Sequence, residues 1–136
     1  MHLVVNIDVN DLELAVQFYA SAFHLRVGRR FGTDGVELLG ASSPIYLLAK
    51  AGGTRACCGS DQSRNYERHW TPVHLDIVVD DINSAVDQAT RAGAVLEQDI
   101  KSSSWGKLAI MADPFGHGFC LIEFVGKGYD EIASNG

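Results

Sequence analysis

A chain of 136 residues, 46% of them hydrophobic and 21% charged, has material for one packed core or for two small modules sharing one. Eleven Lys and Arg against seventeen Asp and Glu leave a net charge of −6, which argues against a nucleic-acid partner, since phosphate backbones are held by clustered positive charge. No apolar run is long enough to cross a membrane and the first residues lack the basic start of a signal peptide. The three cysteines, Cys57, Cys58 and Cys120, form no framework of pairs, so the expectation is a cytoplasmic protein with no membrane partner.

Residues 3–9 alternate, with Leu3, Val5, Ile7 and Val9 on one face and Val4, Asn6 and Asp8 on the other, which predicts a strand. Asn10 and Asp11 are N-cap candidates for a helix over about 11–23, where Leu12, Ala15, Val16, Tyr19, Ala22 and Phe23 recur at helical spacing, and His24 falls at its end. Short strands are expected at 25–31, 34–39 and 45–50. Residues 51–71 hold no period and read as a long connection, a linker or a loop over a site, with Cys57 and Cys58 as two thiols within it. The pattern then restarts. A strand is expected at 73–79, a helix with Ile82, Ala85, Val86 and Ala89 on its apolar face and Gly93 as its C-terminal cap, and strands at about 94–98, 107–112 and 119–125.

This is an internal repeat. A shift of 70 residues lays Val4 on His74, Asn6 on Asp76, Asp11 on Asp81, Leu12 on Ile82 and Ala15 on Ala85. Later the shift grows to 74, laying YLLAK at 46–50 over CLIEF at 120–124 and Ala49 over Glu123. Each half reads strand–helix–strand–strand–strand. One helix covers one face of such a sheet, and the other, half-polar face must meet something else.

Four stretches give this pattern a family: VVNIDVNDLELAVQFYASAFHL at 4–25, VHLDIVVDDINSAVDQATRAGA at 73–94, LAIMADPFGHGFCLIEF at 108–124 and, more weakly, IYLLA at 45–49. The chain resembles the vicinal oxygen chelate superfamily of glyoxalases, bleomycin-resistance proteins and extradiol dioxygenases. The resemblance implies an α+β fold in which two tandem βαβββ modules form a concave, partly open mixed sheet around a ligand cavity. Module one would span about 1–50, the connecting loop 51–71, module two 72–126 and a tail 127–136, all as a single domain.

The resemblance also implies metal-ligand positions at Val4 and Ala49 in module one and at His74 and Glu123 in module two. Two of these carry coordinating side chains and two are aliphatic. A divalent zinc, nickel, iron or manganese ion on His74 and Glu123 would need a third ligand, for which His2 lies on the Val4 strand face; His2 is otherwise a solvated terminal residue. With no cofactor, the same positions would line a ligand pocket, with Val4, Asn6, Ala49, Asp76 and Trp105 as ligand contacts. Trp105 reads equally as a stacking wall or as packing, and His117 as part of the DPFGHG hairpin.

Two functions follow. One is a binding module of the bleomycin-resistance type that holds a small organic molecule, aromatic or cationic, between Trp105, Tyr46 or Phe31 and acidic groups. The other is a glyoxalase-like lyase or isomerase in which a metal on His74 and Glu123 polarises vicinal oxygens and Glu123, as the catalytic carboxylate, moves the proton. The missing ligands favour the first. Such modules leave sheet edges open, and the resemblance implies a homodimer.

Overall fold

In the first half, β1 (Val5–Val9) leads into α1 (Leu12–Phe23), followed by β2 (Arg26–Phe31), β3 (Gly35–Leu39) and β4 (Ile45–Ala49). The sheet order is β1-β4-β3-β2, with β1 and β4 parallel and the other pairs antiparallel. The helix starts where Asp11, in extended backbone, accepts a hydrogen bond from Leu14 N, and stops at His24, whose left-handed conformation (φ 53°) lets its amide close back on Ala20. The face of α1 bearing Ala15, Val16, Phe18, Tyr19 and Ala22 is buried, as are Val9, Val36, Leu38, Ile45 and Leu47 of the sheet. Each large side chain so placed contributes about 1.5–3 kcal/mol relative to exposure.

The second half repeats this. β5 (Leu75–Val78), α2 (Ile82–Ala92), β6 (Val95–Leu96), β7 (Lys101–Ser102), β8 (Gly106–Ala112) and β9 (Gly118–Phe124) precede a 3-10 turn at Gly128–Glu131. The order β5-β9-β8-β6 matches the first sheet, again with first and last strands parallel, and β7 adds a short pairing to β8. Asp81 caps α2 as Asp11 caps α1, accepting from Ser84 N, and Gly93 closes the helix on Ala89 and Thr90. The expected α+β class and the doubled βαβββ order are therefore present, as two open mixed sheets.

The computed structural model describes residues 1–134, and the chain divides into two units, Met1–Glu67 and the segment from Arg68 onward. Much of the long connection accordingly belongs to the first unit. Gly53 N donates to Arg64 O at 2.8 Å, Ala56 N to Gln62 O at 3.1 Å, and Arg64 Nε reaches Asp8 of β1 at 2.9 Å. Tyr66 Oη donates to Lys50 O at 2.6 Å. Residues 68 and 69 join the second unit, where Arg68 grips both oxygens of Glu97 and His69 N donates to Gly116 O. Among the described residues, no helix is long and apolar enough to cross a membrane.

Candidate functional site

Strand alternation decides which side chains can act together. In the second unit Asp76 pairs with Cys120, and Cys120 with Ile110. Asp76, Cys120, Ile110, Val78, Ile122 and Leu108 therefore share the face turned away from α2. Leu75, Phe119, Ile77, Leu121, Ala109 and Met111 share the opposite face, packed under the helix.

His74 stands at the start of β5 on the Asp76 side, its Nε2 3.1 Å from Asp76 Oδ1. Donor atoms of His74, Asp76 and Cys120 all lie within 4.8 Å of one another. Cys120 is buried, and this burial, with the Asp76 carboxylate beside it accepting from the thiol, pushes the thiol up to about 11. Trp70, largely exposed, stands beside His74 with ring centroids 5.5 Å apart.

Glu123 is elsewhere. It follows Leu121 on the helix side, where Oε1 accepts from Ile82 N at 2.9 Å and Oε2 lies 3.4 Å from Lys107 Nζ. The expectation that His74 and Glu123 meet on one face is thus corrected: the two stand on opposite faces of the sheet. The physical cause is the parallel β5–β9 register, in which Asp76 faces Cys120, so the residue sharing the His74 face near the strand end is Ile122. Glu123 instead satisfies the first amide of α2, where a carboxylate is favoured by the unpaired N–H groups of the helix start.

The first unit shows the same division. Asn6 faces Tyr46 and Val9 faces Ala49, so Val4 and Asn6 lie on the face away from α1 while Ala49 lies on the helix side with Leu47. The paired expectation for Val4 and Ala49 is corrected in the same way, and the last-strand residue on the open face is Leu48. Beside Tyr46 stands Glu37, a carboxylate buried to 6% exposure and missed in the sequence. It accepts from Arg29 Nη2 at 2.6 Å, Arg29 Nε and N at 3.1 Å, and Tyr46 Oη at 2.8 Å. These donors hold its carboxyl down to about 2, and Arg29, paired in turn, is raised above its ordinary range. Gly28 makes room: a Cβ there would stand 2.6 Å from Glu37 Oε1. Phe31, 43% exposed, lies 6.2 Å from the Tyr46 ring, and the Arg29 guanidinium sits 5.7 Å above Phe31.

Trp105 is half-buried against Tyr129 (5.0 Å) and Phe124 (6.2 Å), an aromatic group at the Phe124 end of the second sheet. His2 is exposed at the chain start. His117 closes the DPFGHG hairpin, its amide and that of Phe115 donating to the buried Asp113 carboxylate, and its ring meets His69 at 3.1 Å.

The fold is that of a doubled βαβββ scaffold with two open mixed sheets. A family model described as "Glyoxalase-like domain" matches residues 4–122, and the chain belongs to this family, within the vicinal oxygen chelate superfamily. An uncharacterized protein of Mycobacterium bovis is 31% identical over 124 residues, covering 88% of this chain and 78% of that protein. A hypothetical protein from S. aureus superposes with a TM-score of 0.71 at 22% identity, covering 90% of this chain and 93% of the other. A glyoxalase/bleomycin resistance protein/dioxygenase family enzyme from Burkholderia phytofirmans gives 0.67 at 18% identity, covering 90% and 97%. At these identities the two solved structures bear on fold alone.

Members of the superfamily commonly use a divalent metal. The residues expected to hold it do not fit here. Val4 and Ala49 offer no lone pair, and Glu123 is turned to α2 and Lys107.

Proposed function

We propose that this protein is a glyoxalase/bleomycin-resistance-type binding protein that holds and sequesters a small organic molecule without the four-ligand metal centre of the lyases. The observation behind this reading is the separation of His74 from Glu123 onto opposite faces of the second sheet. A lyase of the expected design needs both on one metal, with Glu123 free to move a proton, and its carboxylate is already engaged.

The chemistry of the open faces supports an aromatic, cationic ligand. The first unit presents exposed Phe31 beside Tyr46 and the amide of Asn6, with Val4 adding apolar surface. The second presents Asp76, exposed Trp70 and, at the Phe124 end, half-buried Trp105. Aromatic faces and a partly exposed carboxylate attract a flat cation. Contacts from Val4 and Asn6 on the open face of the first unit and, separately, from Asp76 and Trp105 on that of the second are part of the proposal, as are a homodimeric state and a reducing, cytoplasmic setting in which Cys57, Cys58 and Cys120 stay free thiols.

Calorimetric titration of N-methylacridinium and of neutral acridine into chelator-treated protein tests it. Binding should survive the chelator, favour the cation, and weaken about 5–30-fold in Phe31→Ala, the loss of about 1–2 kcal/mol. A glutathione–methylglyoxal assay should show no turnover. Turnover restored by a divalent metal and lost in His74→Ala would overturn the proposal in favour of the lyase.

A further inference from the structure

The geometry points to a thiolate-containing cation site on the open face of the second sheet, built from His74, Asp76 and Cys120, that takes a thiophilic divalent ion such as zinc. It shares one residue with the expected metal positions and replaces the carboxylate of Glu123 by two donors that the sheet register brings together. Cys120 stands opposite Asp76 across the β5–β9 pair, and His74 is two residues before Asp76 on the same face.

The donor set is one imidazole nitrogen, one carboxylate oxygen and one thiol, a combination that suits zinc or cobalt and poorly suits calcium or magnesium. Tetrahedral bonds of about 2.0–2.3 Å separate neighbouring donor atoms by about 3.3–3.6 Å. His74 Nε2 and Asp76 Oδ1 are already 3.1 Å apart, and the set lies within 4.8 Å, so the closing movement is about 1 Å of side-chain rotation. The strands fix the Cα positions, while His74 and Asp76 are partly exposed and free to turn. Binding breaks the Cys120 S–H bond, forms a metal–sulfur bond and releases the proton to solvent. Three protein ligands leave a fourth position open beside the exposed Trp70 ring, the arrangement of a site that admits a ligand rather than a purely structural one.

The site shares Asp76 and the Trp70 ring with the proposed organic-ligand surface, so it is titrated without organic ligand, and its failure leaves that reading to its own titration. Full-length protein carrying Cys57→Ser and Cys58→Ser, which leaves Cys120 as its thiol, is titrated with Zn²⁺ and with Co²⁺. The expected result is one ion per chain, a thiolate-to-cobalt charge-transfer band, and release of a proton. His74→Ala and Asp76→Asn should each weaken binding by about 10–100-fold or more, and Cys120→Ser should abolish the band. His74 and Asp76 lie at the surface, so circular dichroism of their variants should match the parent, and they decide the matter if Cys120→Ser does not fold. No stoichiometric binding, bound cobalt without the charge-transfer band, or equal affinity in folded His74→Ala and Asp76→Asn would each overturn the site.

Discussion

Glu37 shows how one residue can set the character of a sheet face. A carboxylate buried among apolar strand residues is costly unless each oxygen finds a donor, and here a guanidinium, a phenol and a backbone amide supply them. The pH dependence follows from its depressed ionisation. With the folded group held at about 2 against an ordinary 4.5, its contribution is intact above about 4.5 and drains away as pH falls toward 2. Glu37→Gln should therefore lower the melting temperature at neutral pH, and the gap from wild type should close on acidification over that window. Arg29 is 66% exposed, so part of the gap should also vanish in high salt. Thermal melts from pH 2 to pH 7 at two salt concentrations check both statements. The sequence hid this group because Arg29 reaches Glu37 through a register irregularity in β2, between Val27 and Arg30, that no periodicity marks.

At the scale of the element, the helix starts were legible and the strand faces were not. Asp11 and Asp81 each precede an apolar helical stripe, and each caps as its side-chain chemistry dictates. Asp11→Ala should cost about 1 kcal/mol in denaturant unfolding. Repeat matching correctly laid Ala49 over Glu123, since both sit at the same place in a parallel pair. It failed to tell which face they occupy, because a slip of one residue between β5 and β9 exchanges the faces and the sequence does not state the pairing. Cys120 is the counterpart of Tyr46 in the repeat, and nothing in the sequence pattern marks a lone thiol there as a neighbour of Asp76. β7, two residues long, is too short to show any period, and the 51–67 loop is held by side-chain bonds of Arg64 and Tyr66 that leave no pattern. Glu123→Ala should destabilise the protein by about 1–3 kcal/mol, by unsatisfying the first amide of α2, while leaving zinc affinity unchanged. Parallel unfolding and zinc titrations would separate a helix cap from a metal ligand, and a loss of zinc binding would reinstate Glu123 as a ligand.

For the whole molecule, each sheet by itself has two edge strands: β1 and β2 in one, β5 and β6 in the other. Edge strands that are left open can pair with another chain. A homodimer of twice the 14.7 kDa chain mass is the expected species, and light scattering at tens of micromolar checks it, a monomer refuting it.

The parallel pairing of first and last strands also bears on how the chain is made. During synthesis β1 emerges early, yet its in-sheet neighbour β4 begins at Ile45, and Arg64, which ties the loop to Asp8, comes later still. For that interval the nascent chain holds Val5, Ile7 and Val9 as an unpaired apolar strand, with α1 as the element able to form locally and shield them. Residues that speed α1, Asp11 above all, thereby govern how long a sticky ribbon stands open on the ribosome, and a slow-forming α1 would show as aggregation of newly made protein before any loss of stability in the finished fold.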